Sequence, residues 1–142
     1  MAAPTHDEVV AFIAARDPQT VHGTLGIRFI KLDADETIVE LDVSERLYQH
    51  AGIVHGGIYA LLMESAASTA AALSVDVATQ RVAGQELSCS HVRAAVRGVL
   101  RAVARPIHRG RTVQVFLCEV FNEGRLVSTG RVTMAVRPMA GG

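Results

Sequence analysis

The chain has 142 residues, 49% of them apolar, and its 14 basic and 14 acidic side chains cancel. That length and apolar content predict a single globular domain over residues 1–142 and exclude a disordered chain. A net charge of zero, no Trp, and only 2 Tyr and 4 Phe exclude nucleic acid as the expected partner, since neither a basic field nor stacking surfaces are at hand.

The longest apolar runs are broken by Glu64, arginines and glycines, so no segment reads as a membrane span. Met1 to Glu8 is polar and has no signal-peptide core, which predicts a cytoplasmic protein. Thr5-His6-Asp7-Glu8 has the form of a capping box. Val9, Val10, Phe12 and Ile13 follow at helical spacing, and the helix is expected to end near Asp17-Pro18, giving an N-terminal helical region over 1–20. His6 and His22 are expected at the surface or at caps. Residues 26–32 read as a strand and 33–36 as a turn. Residues 37–43 alternate, with Val39, Leu41 and Val43 on one face and Glu40 and Asp42 on the other.

Residues 57–73 predict one long helix bearing Ala60, Ala66, Ala67, Ala70, Ala71 and Ala72. Small side chains on an apolar helix let other backbone approach closely, as around a buried central helix. Four strands follow, at 81–94, 99–106, 112–121 and 126–137. Asn122-Glu123-Gly124 is a hairpin loop, with glycine free to take a positive φ. Residues 112–121 are apolar on both faces and belong in the middle of the sheet. Residues 138–142 are expected to fray. The order predicts an α+β fold, one antiparallel sheet wrapped around one helix. The sheet's other face then needs cover, and oligomerisation supplies it.

The densest chemical signal is Gln49-His50-Ala51-Gly52-Ile53-Val54-His55-Gly56-Gly57, followed by Glu64 inside the helix. Glycines at a helix start leave backbone N–H groups free for a developing negative charge. Glu64 sits among Leu62, Met63, Ala66 and Ala67, where burying a carboxylate is costly unless it is partnered or functional. A poised carboxylate and an oxyanion-binding helix end are the parts acyl transfer needs. Ser68 lies four residues after Glu64 and shares its side of the helix. Glu64 could also be a buried acid satisfied by Gln49 or backbone, and Ser68 a small residue for tight packing.

Gly56 and Glu64 are eight residues apart, roughly 12 Å along a helix. A Glu side chain reaches only about 4–5 Å by standard bond lengths. A carbonyl held at the helix start therefore needs the carboxylate of a second copy of the chain. That geometry predicts a site shared between two copies of the chain.

Between Leu87 and Cys118 there is no acid, while Arg93, Arg97, Arg101, Arg105, Arg109 and Arg111 all occur. Outward-facing strand arginines account for several of them; a site for the phosphates of a nucleotide-bearing ligand is the sharper reading. Cys89 and Cys118 lack metal-ligand spacing and read as buried thiols, and His50 and His55 belong to no ligand cluster, so no metal is expected.

Gln49, Gly52, His55-Gly56-Gly57, Glu64 and Ser68 together resemble the acyl-CoA thioesterases of the hotdog fold. The branch is that of the Arthrobacter-type 4-hydroxybenzoyl-CoA thioesterase and the 1,4-dihydroxy-2-naphthoyl-CoA thioesterase, with PaaI-like enzymes as near relatives. The likeness extends to Gly84-Gln85-Glu86-Leu87, Ser90-His91-Val92-Arg93, residues 105–111, Gly124-Arg125-Leu126 and Thr133. Many PaaI-like enzymes place Asp near the helix position where this chain has Glu64.

The resemblance implies that Glu64 is nucleophile or general base and that the Gly56 N–H polarises the thioester carbonyl. It implies that Gln49 and His55 line the reacting end and that Ser68 holds water or the carboxylate. It also implies that His91, Arg93 and the loop His108, Arg109, Gly110, Arg111 meet the pantetheine arm and nucleotide of CoA. The expected reaction is hydrolysis of an aromatic or medium-sized acyl-CoA in a homodimer or tetramer, with no cofactor beyond the CoA of the substrate. The alternatives are an acyl-carrier-protein or broad-range proofreading thioesterase and a non-catalytic acyl-CoA-binding module.

Overall fold

A computed structural model describes residues 5–140 of the protein. Thr5 caps helix α1 (His6–Arg16): its hydroxyl accepts from the Glu8 N–H while the Glu8 carboxylate accepts from the Thr5 N–H. A 3-10 turn at Asp17–Gln19 carries Pro18, and a second short helix, α2 (Val21–Leu25), follows. Periodicity does not disclose α2, because five residues are too few to show it. Local chemistry makes it: Thr20 caps its start, and Gly26 closes it at φ 80°, where a side chain would be strained.

Strands β1 (Arg28–Lys31) and β2 (Thr37–Asp42) lead through a loop into the central helix α3 (Gly56–Ala72). Then come β3 (Gln80–His91), β4 (Val99–Arg109), β5 (Val113–Asn122) and β6 (Arg125–Pro138). All pairs are antiparallel, and the order across the sheet is β1-β2-β4-β5-β6-β3. The sheet curls around α3. Leu62, Met63, Ala66, Ala67, Ala70 and Ala71 of the helix pack on Val39, Leu41, Leu100, Ala102, Phe116, Cys118, Val132 and Met134 of the strands. The alanines permit this wrapping, since larger side chains would hold the strands away.

The apolar strand β5 lies between β4 and β6, as its two-sided pattern predicts. β4 runs past Pro106, where the sequence pattern ends it. A register shift between Pro106 and His108 bulges Ile107 out, and a bulge tolerates a residue with no N–H. β3 leaves the sheet at His91 rather than at 94, because the Val92 and Arg93 N–H groups both turn to the Val127 carbonyl. In the β5–β6 turn Glu123 and Gly124 have φ 49° and 76°, the left-handed pair a tight hairpin requires. The expected frayed tail needs correction at Met139, whose N–H donates to Thr79 O at 2.8 Å; residues 141–142 lie outside the described residues.

The acid-free arginine stretch finds its acids across the sheet. Arg101 pairs with Glu40 at 2.7 Å, Arg105 with Glu36 at 2.6 Å and Arg109 with Asp35 at 2.7 Å. Arg28 joins Glu40 and Asp42. Such surface pairs contribute little to stability, so they define the outer face more than they stabilise it.

Candidate active site

The loop before α3 is fixed by its own backbone. The Gln49 N–H donates to Ile53 O at 2.9 Å and the Gly52 N–H to Gln49 O at 3.0 Å, with Gly52 at φ 77°. The His55 N–H reaches Leu47 O, and Val54 is tied to Ala95 across the way. His55 itself caps the helix, Nδ1 accepting the Gly57 N–H at 2.8 Å. Its ring therefore orders the turn. The Gly56 N–H meets no acceptor among the described residues and stands at the positive end of the helix.

The missing side chain at Gly56 makes room for His91. A Cβ there would come within 2.5 Å of His91 Nε2. The ring is held from behind by Ser128 Oγ, 2.9 Å from Nδ1. Beside it opens a cleft of about 400 Å³ lined by Gln49, Ile53, Val54, Gly56, Tyr59, His91, Val92, Arg93 and Ala94. Gln49, Gly56, His91 and Arg93, far apart in sequence, thus come to one place. The Gln49 side-chain oxygen accepts from the Ala51 N–H, and Arg93 Nη1 donates to Leu126 O at 3.1 Å. Tyr59 is buried in the floor. Burial pushes its phenol above the usual range against a smaller lowering from the Ala95 backbone. That contact falls short of a hydrogen bond, and the hydroxyl has no partner among the described residues.

Glu64 is elsewhere. Its carboxylate lies over Gly84 on β3, where a Cβ would sit 1.9 Å from Oε1. A register shift between Gly84 and Glu86 turns the strand at that point. The expectation of a buried carboxylate is corrected: within one chain Glu64 is exposed, although its carboxylate lies against β3. Ser68 donates to the Ser65 carbonyl at 3.3 Å rather than to Glu64.

The loop 108–111 belongs to this second locality. Val113 of β5 pairs with Ala135 of β6, which pairs with Ala83 of β3, next to Gly84. His108 folds back over Gly110, Arg109 is engaged with Asp35 and the Ala34 carbonyl, and Arg111 is exposed. One chain therefore carries two groups of residues at opposite ends of β3: Gln49, His55, Gly56, His91 and Arg93 at one, Glu64, Ser68 and residues 108–111 at the other.

A Thioesterase superfamily profile matches residues 51–135. The chain belongs to this thioesterase superfamily. It is 38% identical over 115 residues to the 1,4-dihydroxy-2-naphthoyl-CoA hydrolase of Escherichia coli, covering 80% of this chain and 84% of that one. It is 37% identical over 113 residues to the proofreading thioesterase EntH of Cronobacter turicensis, covering 79% and 82%. A crystal structure of a mutant thioesterase from Pseudomonas aeruginosa superposes with a TM-score of 0.85 at 32% identity, covering 97% of both chains. The sheet around a single helix is the hotdog fold, and this thioesterase is a thioester hydrolase. Among its described residues no helix is long and apolar enough to cross a membrane, and no three His, Cys, Asp or Glu side chains gather as metal ligands.

Three further features emerge only from the folded chain. Gly84 is the bare surface under Glu64, and its signal was the Gly84-Gln85-Glu86 run. Ser128 holds His91, which only strand pairing could disclose. His22, expected at the surface or a cap, is half-buried: Nδ1 lies 3.2 Å from Asp17 Oδ1 and Nε2 2.9 Å from Ser65 Oγ. This Asp–His–Ser order resembles a hydrolytic triad. Ser65, however, is 6% exposed in the middle of α3, away from the free N–H groups of the helix start. It pins α2 to α3.

Proposed function

We propose that the protein hydrolyses an aromatic or medium-sized acyl-CoA to free acid and CoA at two sites, each shared between two chains. The observation that supports this reading is the separation of Gly56 and Glu64 on one helix, with Glu64 exposed over Gly84 and the Gly56 N–H free among the described residues. β3 is an edge strand, paired only with β6 among the described strands. Antiparallel pairing of β3 with its own copy, about an axis near Leu87 and Ser88, brings Gly84 of one chain opposite His91 of the other. Glu64 and Ser68 of one chain then meet Gln49, His55 and Gly56 of its partner.

In such a site the thioester carbonyl oxygen accepts from the Gly56 N–H, aided by the helix dipole. Glu64 either attacks the acyl carbon or takes a proton from water that does. The C–S bond breaks, the sulfur leaves as thiolate and is protonated, and the second oxygen of the acid comes from water. Arg93 and the exposed Arg111 serve the phosphates of CoA. No further cofactor takes part. The name of one relative, a 1,4-dihydroxy-2-naphthoyl-CoA hydrolase, supports an aryl acyl group on CoA, while that of another, a proofreading thioesterase, supports the broad-range alternative.

Thiol release from benzoyl-CoA, palmitoyl-CoA and an acyl-carrier-protein thioester tests the substrate. The reading expects benzoyl-CoA to be turned over with the highest kcat/KM. Preference for the carrier-protein thioester would overturn the CoA assignment, and binding without thiol release on all three would make the protein a binding module.

A further inference from the structure

The hydrogen bonds around Ser128 fix which nitrogen of His91 faces the cleft. Ser128 is fully buried, and its hydroxyl has one proton. Its Oγ lies 3.2 Å from the Ser90 carbonyl, which can only accept, so both of its contacts are hydrogen bonds only with the proton pointing there. The same oxygen lies 2.9 Å from His91 Nδ1 and must then accept from it. The Cys89 thiol is also a neighbour, but a neutral thiol is a weak acceptor and does not compete with a carbonyl. His91 is thereby held as the Nδ1–H tautomer, and Nε2 keeps a lone pair.

That lone pair sits beside the Gly56 turn. Nε2 is 2.5 Å from the position of a Gly56 Cβ, hence at most about 4 Å from the Gly56 Cα by the length of one further carbon–carbon bond. A thioester carbonyl on the Gly56 N–H places the sulfur within a few ångströms of the ring. An acceptor there wants a donor from the substrate. The arm of CoA supplies one donor close to the sulfur, the amide N–H two carbons away. Around the ring stand Tyr59, whose centroid is 5.2 Å from that of His91, with Gln49 and Arg93 on the cleft wall.

We infer that Ser128 is a positioning residue which holds His91 Nε2 as acceptor for the amide N–H nearest the thioester sulfur, so that the site selects thioesters carrying that amide. The inference rests on the thioesterase site proposed above. It adds the chemical class of the leaving arm, a cysteamine amide, whether borne by CoA, pantetheine or N-acetylcysteamine.

The test compares benzoyl-S-N-acetylcysteamine with the isosteric ester in which the amide N–H is an oxygen. The wild-type protein is expected to prefer the amide by about tenfold or more in kcat/KM, the worth of one well-made hydrogen bond. Ser128→Ala should collapse that ratio towards one, and Ser128→Thr, which keeps the hydroxyl, should restore it. A purely structural Ser128 would lower both substrates together and leave the ratio alone. Equal rates for the two substrates in the wild type, or an undiminished ratio in a folded Ser128→Ala protein, would overturn the inference. Nitrogen-15 spectra of the wild-type His91 ring at neutral pH decide independently, even where a variant does not fold or neither thioester is cleaved. A protonated Nδ1 is expected, and a protonated Nε2 would overturn the inference. Cleavage of neither compound alongside a protonated Nδ1 would strike the proposed hydrolysis instead.

Discussion

Glu64 projects from α3 over the bare backbone of Gly84, and Gln fills the same space with the same reach. Glu64→Gln is therefore expected to leave the melting temperature unchanged while removing base and nucleophile, which lowers kcat by at least ~10²-fold. Steady-state kinetics beside a thermal melt checks both halves; a variant retaining a third of wild-type kcat would remove Glu64 from the chemistry. Tyr59 gives the opposite case. Its buried hydroxyl has no hydrogen-bond partner among the described residues, so folding strips water from it without replacement. Tyr59→Phe is expected to raise stability or leave it unchanged in a denaturant titration. A loss of more than about 1 kcal/mol, the scale of a net hydrogen bond, would mean the hydroxyl is bonded after all.

Among the elements, α1 and α2 are the ones whose attachment depends on few contacts. No residue of either is fully buried, and the Asp17–His22–Ser65 chain ties α2 to α3. His22→Ala leaves the Ser65 hydroxyl buried and unpaired, at an expected cost of about 1–3 kcal/mol. Ser65→Ala removes the other end, and the double variant is expected to cost less than the two singles added, because both delete one interaction. Thermal melts of the three proteins check this, and full additivity would mean that the two side chains do not act through each other. Sequence disclosed the elements wherever their signal was periodic or chemical. The alternation of 37–43, the alanines of α3 and the capping box at Thr5 each mark what the structure contains. It failed where geometry is made by pairing. Pro106 marked a strand end until the bulge at Ile107 absorbed it. His22 carries nothing in its neighbours to announce a bond 43 residues away. The candidate site was legible in the same uneven way. The residues 49–57 are local and were found, whereas Ser128 meets His91 only through the β3–β6 register.

At the scale of the molecule, what stands out is an edge. β3 is 12 residues long, and its outer side has no partner strand among the described residues. A long unprotected edge invites pairing with another strand, and self-pairing is the simplest outcome. The two halves of the proposed site lie at its two ends, Gly84 and His91, seven residues or roughly 23 Å apart. One antiparallel pairing then brings unlike halves together twice. The proposed dimer axis would thus run through the same strand that separates the two localities.

The sharing of the site is tested most directly by complementation. Glu64→Ala and Gly56→Pro are each expected to be inactive, the first for want of the carboxylate and the second for want of the N–H. Co-refolded in equal amounts, half of the dimers are mixed, and each mixed dimer holds one site with both parts intact. Activity is then expected to return to about a quarter of the wild-type value if the two sites act independently. No return of activity, with mixed dimers demonstrated by mass, would mean that each chain completes its own site and would contradict the account.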